Sequence, residues 1–103
     1  MSWAEVISHR YRVHKELKEE IEAVLKICLE ELEGLGVPTS QTLTSHYPLE
    51  WMVCIGLKKF ILKGNDIYRN KEVYDSNGLI HSHDRDTLEV VQELLLDEFS
   101  KTF

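Results

Sequence analysis

Only two prolines, five glycines and two cysteines occur in 103 residues, and each scarcity removes a class of protein. So little Pro and Gly excludes collagen-like and low-complexity chains. Cys28 and Cys54 sit among apolar neighbours with no Cys-x-x-Cys or Cys/His ligand spacing around them, so they read as buried free thiols, with a Cys28–Cys54 bridge as the alternative in an oxidising source. No run approaches the roughly 18 apolar residues of a membrane span, and Met1 to Glu5 is not followed by an apolar signal core. The expected location is therefore cytoplasmic, with no membrane partner. Lys and Arg are also short, 12 against 18 Asp and Glu for a net charge of -6, which argues against duplex nucleic acid as a ligand. A glycine-rich phosphate loop, a nucleophile elbow, a metalloprotease helix and internal repeats are all missing, so no cofactor is expected.

What is present is a globular composition, 43% hydrophobic and 29% charged, of a length that suits a single domain over residues 1–103. The expected class is α+β. Apolar residues recur at steps of three and four from Trp3 through Val6, Ile7, Tyr11, Leu17, Ile21, Val24, Leu25, Cys28 and Leu32, the stripe of one long amphipathic helix. Ser2 and Glu5 form a capping box at its start; Gly34, Gly36 and Pro38 close it. Glu22 and Lys26 stand four apart in the favourable order for an outer-face pair. A helix of that length overruns a globule of this size, so it either kinks near Ser8 to Val13 or lays its stripe on a second subunit, a homodimer through the N-terminal helix.

Gly36 to Tyr47 reads as a loop, with Gln41 to Tyr47 as an alternative edge strand. Residues 48–63 are expected to form a second helix that starts at Pro48 and stops at Gly64, against an alternative of two strands broken at Gly56. In either case Met52 to Ile55 belongs to the core, and Trp51 is expected to be buried. A β-hairpin over residues 66–83 turns at Asp75-Ser76-Asn77-Gly78, placing Tyr68, Arg69, Asn70 and Lys71 on an exposed strand. The last helix covers residues 86–101, capped by Asp86 with Glu89. It buries Leu88, Val91, Leu95 and Phe99, with Val90, Leu94 and Leu96 widening the stripe beyond what one contact needs.

Charge is segregated. His9, Arg10, Arg12, His14 and Lys15 make a basic start, Glu16 to Glu33 and Asp84 to Glu98 are acidic, and Lys58, Lys59 and Lys63 lie between. A surface of this kind suits a non-enzymatic acidic interaction protein, of inhibitor, immunity or regulatory type, that meets a basic protein partner. Its contact residues are expected to be Glu19, Glu30, Glu31, Glu33, Asp97 and Glu98, with Trp3 as an aromatic anchor. One alternative is a small metal-dependent enzyme. His81 and His83, two apart on a strand, share a face, and Asp84 follows at once, a ligand set that suits a divalent transition ion. Another is a dimeric structural subunit of a larger assembly. His9 and His14, five apart, lie on different faces of the helix, and Ser45-His46 adjacency does not build a triad.

Overall fold

The computed structural model describes residues 2–74, 78, 80–82 and 85–101. Its elements run α1 (Trp3–Gly34), β1 (Thr39–His46), β2 (Leu49–Ile55), β3 (Lys58–Lys63), α2 (Gly64–Asn70), β4 (Val73–Tyr74), β5 (Ile80–Ser82) and α3 (Thr87–Ser100). This is an α+β architecture in which two long helices cover one face of an antiparallel sheet ordered β1-β2-β3.

The first helix is continuous for 32 residues, about 48 Å at 1.5 Å per residue. No kink interrupts it. The Ser2 hydroxyl accepts the Glu5 amide at 3.2 Å, as its capping signal requires. The expected Glu22–Lys26 pair is replaced by Lys18–Glu22 at 2.7 Å and Lys26–Glu30 at 3.9 Å. Glu22 lies on the shoulder of the helix beside the sheet, where Trp51 holds its second oxygen.

The helix expected over residues 48–63 is instead the hairpin of β2 and β3. Leu49, Trp51, Val53 and Ile55 alternate strictly with half-exposed residues, and a period of two fixes a strand whatever the local helix propensity. Half-exposed Met52 and Cys54 on the opposite face blur that alternation in the sequence. Pro48 therefore sits in the β1–β2 turn rather than opening a helix. The connection at Gly56-Leu57 has φ +62° at Gly56, the place where a tight hairpin turn needs glycine. Residues 41–47, read mainly as loop, contribute most of β1, whose pairing with β2 shifts register between Leu43 and Ser45.

The hairpin expected over 66–83 is shorter than its signal. Val73 pairs with Ser82 and Tyr74 with Ile80, but Tyr68, Arg69 and Asn70 belong to α2 and Lys71 caps it. Gly64, Asn65 and Asp66 are poor strand formers, and the Asn70 amide donates to the Asp66 carbonyl at 2.7 Å to close the short helix. Of the proposed turn, residues 75–77 lie outside the described residues.

Three antiparallel strands carry the chain from the C-terminal end of α1 to the opposite end of the sheet. Thr39, at the start of β1, donates to Glu33 near the C-terminal end of α1 at 2.8 Å, and the β1–β2 turn lies at His14, whose ring stacks on Tyr47. α3 then starts where Thr87 donates to Glu20 at 2.8 Å and ends beside Leu32 and Leu35. The two helices therefore lie parallel. Their shared core holds Ile21, Leu25, Leu29, Trp51, Val53, Leu62, Ile67, Val90 and Val91.

Nothing before Ile21 on α1 is buried. Residues 3–13 reach beyond the β1–β2 turn as an overhang of about 16 Å. The radius of gyration, 15.6 Å, exceeds the about 13 Å of a compact chain of this length.

Candidate functional site

The parallel helices leave a groove between their C-terminal halves, about 340 Å³ in volume. Cys28, Leu32 and Leu35 line it from α1, and Leu95, Leu96 and Phe99 from α3. Val37 and Ile55 form its floor, and Glu31 and Gln92 supply its polar groups. Leu96 is 69% and Leu35 78% exposed, so its lips are apolar and open to solvent. Such surface costs free energy in water, roughly 25 cal/mol per Å², and a contiguous exposed patch commonly marks a contact site.

The electrostatics of that end are mixed, because Lys58 and Lys59 pair with Ile55 and Cys54 beside the β2–β3 turn at the groove floor, while the helix ends add a negative bias. Both helix C-termini point their carbonyls there, the negative pole of each macrodipole, worth roughly half a unit charge. Neither last turn carries a basic residue. Of the expected contact residues, Glu30, Glu31, Glu33, Asp97 and Glu98 are brought together at this end by the parallel packing. Glu31 is on the groove itself, and its charge adds to burial in pushing the Cys28 thiol up from its ordinary value. Lys101 is held by Asp97 at 3.4 Å and Glu98 at 3.3 Å, and Lys26 by Glu30. With Lys58 and Lys59 that end holds four lysines against these five carboxylates.

Glu19 is not part of this group. It lies further along α1, exposed, with Lys15 at 4.0 Å. Trp3 stands at the opposite end of the molecule, 78% exposed at the tip of the overhang.

A second cluster lies under the β1–β2 turn. Trp51 is fully buried, and its indole N–H donates to Glu22 Oε2 at 3.2 Å while Lys18 donates to Oε1 at 2.7 Å. Burial pushes the Glu22 carboxyl up, but the bonds from Lys18 and Trp51, with the charges of Lys18 and His46, outweigh it and hold the group below its ordinary range. Next to it His14 and Tyr47 stack with centroids 4.2 Å apart. The cluster ties α1 to the sheet and has the form of a structural clamp.

The cysteines cannot bridge. Cys28 is buried in the helix layer and Cys54 half-exposed on the far face of β2, and both are free thiols. Among the described residues no group of three His, Cys, Asp or Glu could hold a metal ion. His83 and Asp84 lie outside the described residues, as does the side chain of His81. No described helix is long and apolar enough to cross a membrane. Asp86 occupies the cap position of α3 without a side-chain bond, and Glu89 instead accepts from Arg85 at 2.9 Å.

The groove itself escaped the sequence, although the surplus width of the last helix's stripe, Leu96 above all, was its signal. The chain matches no protein-family model, no curated protein and no solved structure.

Proposed function

We propose that this chain is a non-enzymatic binding module that receives a basic amphipathic helix from a protein partner in the groove between the C-terminal halves of α1 and α3. The observation that carries the reading is the coincidence of apolar lips, Leu35 and Leu96, with Glu31 on the groove and two helix C-termini at one end. An amphipathic helix places its apolar stripe in such a groove and its flanking charges on the rim. Lys and Arg on those flanks would meet the rim charge, which favours a basic over an acidic partner and speeds encounter.

The test is a fluorescence titration with two synthetic helical peptides that share one leucine stripe and differ only in carrying Lys or Glu on the flanks. The Lys peptide is expected to bind, to weaken as salt screens the rim, and to be lost with Leu96→Asp, an exposed position that leaves the helix content unchanged by circular dichroism. Equal binding of the two peptides, or none by either, would overturn the proposal.

A further inference from the structure

We propose that the N-terminal overhang of α1 is a dimerisation arm. Two copies pair their overhangs antiparallel about a two-fold axis near Ile7, and the Trp3 ring of each seats against the β1–β2 turn of the other. This surface lies at the opposite end of the molecule from the groove and does not depend on it.

The overhang carries an apolar face without cover. Trp3, Ile7 and Tyr11 follow each other at steps of four and are 78%, 59% and 58% exposed. They prolong the stripe that Ile21, Leu25 and Cys28 bury further along the same unkinked helix. They therefore face the layer that the sheet occupies, with nothing from the described residues beneath them once it ends at the β1–β2 turn. Tyr47, in that turn, is 75% exposed and stacks on His14. Beside it a cup of about 190 Å³ opens between His14, Tyr47, Pro48 and Tyr68. A helix laid under the overhang would take the place that the sheet leaves, with its tip at this cup.

The overhang of a second copy fits that place. An antiparallel helix sliding under the overhang stops when its first turn meets the β1–β2 turn, near the level of His14. That stop sets Trp3 opposite Tyr11, Ile7 opposite Ile7, and Arg10 opposite Ala4 and Glu5. Helical side chains lean towards their own N-terminus, so the partner's Trp3 leans past Tyr11 to the His14–Tyr47 stack and the cup. No like charges stand directly opposite in this register: Glu5 meets His9 and Arg10, Arg12 meets Ser2, and Lys15, held by Glu19 at 4.0 Å, lies beyond the overlap. Covering Trp3, Ile7, Tyr11 and Tyr47 removes about 500–600 Å² from water in each copy, with aromatic side chains at roughly 150–250 Å² apiece. That is less than the roughly 800 Å² per partner of a standard interface, so the dimer is reversible and depends on concentration. A two-fold contact uses the same patch on both chains and closes at two copies, leaving both grooves free at the far ends. Anionic lipid also takes up amphipathic helices with a basic face, but the net charge of -6 on this chain opposes that surface.

The test is sedimentation velocity on the full chain. The wild type is expected to pass from one copy to two as concentration rises, and no further. Trp3→Asp, at an exposed helix start, is expected to stay a monomer with unchanged circular dichroism, and Leu96→Asp in the groove to dimerise as the wild type does. In a Cys54→Ser background, Ile7→Cys is expected to cross-link into a dimer on mild oxidation, because the axis sets it against its own copy, whereas Arg12→Cys on the outer face is not. A wild type that stays monomeric, a mass that grows beyond two copies, or a Trp3→Asp chain that still dimerises would overturn the proposal. Loss of the dimer in Leu96→Asp would overturn it in favour of an overhang seated in the groove. Binding of the monomeric wild type, but not of Trp3→Asp, to vesicles of anionic phospholipid would overturn it in favour of a membrane surface. Failure of the Lys-flanked peptide to bind would remove the groove's function and leave this pairing standing, and loss of pairing would leave the groove standing.

Discussion

Replacing Glu22 by alanine should destabilise the fold far more than replacing it by glutamine, although both remove the same charge. Trp51 has no exposed surface, and Glu22 is the acceptor of its indole N–H. Alanine leaves that donor unsatisfied in the core, which costs about 1–3 kcal/mol. Glu22 itself is 28% exposed, so water can reach part of the space, and the lower half of that range, about 1–2 kcal/mol, is expected. Glutamine keeps an acceptor for the indole and loses only the Lys18 ion pair, about 0.5 kcal/mol for a pair so placed. With a urea slope near ~1 kcal/mol per molar for a chain of this size, Glu22→Ala should lower the midpoint by roughly 1–2 M and Glu22→Gln by about 0.5 M. The assay is urea unfolding followed by fluorescence in a Trp3→Phe background, which leaves Trp51 as the single indole. The pH dependence has a fixed sign. Because the folded carboxyl lies below its ordinary value of 4.5, its contribution is complete above that value and is lost as pH falls through the folded one. The gap between wild type and Glu22→Gln should therefore narrow as pH falls from 7 to 3. Equal midpoints for the Ala and Gln variants, or a gap that widens in acid, would refute the clamp.

Two further outcomes follow from the backbone and from the thiols. Gly56→Ala should cost about 1–2 kcal/mol, because φ there is +62° and a side chain in that region is strained whatever the space around it; a thermal midpoint unchanged from wild type would contradict the turn. Iodoacetamide should modify Cys54 well before Cys28, since Cys28 is buried and its thiol is pushed up by burial and by Glu31, and only the thiolate reacts. Mass mapping of the alkylated chain checks the order, and faster labelling of Cys28 would place it outside the groove wall.

The sequence made the two ends of this fold legible and obscured its middle. At α1 the 3.6-residue stripe, the Ser2 cap and the Gly34–Gly36 stop all agree, and the helix forms where they place it. At residues 48–63 the signals conflict. Leu49, Met52, Val53, Leu57, Phe60 and Ile61 satisfy a helical template, while Leu49, Trp51, Val53 and Ile55 satisfy a strand. The conflict arises because apolar side chains stand on both faces of β2 and β3, and no local rule says which of two good periods a segment obeys when both fit. The choice is made by tertiary contact, with Trp51 driven into the core against α1. The candidate site was half legible for a related reason. Individual carboxylates and Trp3 could be named from charge and exposure, but gathering Glu30 and Glu31 with Asp97 and Glu98, and separating them from Glu19 and Trp3, depends on α3 running parallel to α1.

That parallel arrangement follows from the number of strands. β1 leaves the C-terminal end of α1, β2 returns to it and β3 leaves it again, so an odd count delivers the chain to the His14 end, where α2 and Thr87 take over. α3 then has to run the same way as α1. With two strands, or four, it would run the opposite way, the helix dipoles would oppose one another, and the carboxylates of α3 would fall beside the basic overhang and neutralise it within the monomer. Three strands instead add the dipoles and bring Asp97 and Glu98 to the end that already holds Glu30, Glu31 and Glu33, together with Lys58 and Lys59 of the β2–β3 hairpin. The exposed stripes follow the same logic: α1 is longer than the strands that cover it, so apolar surface remains at its start, and the groove between α1 and α3 leaves Leu35 and Leu96 exposed at the far end. Each stretch of uncovered apolar surface thus lies at one end of α1, and at the groove end Glu31 and the two helix C-termini are the features on which the proposal of a basic helical ligand rests.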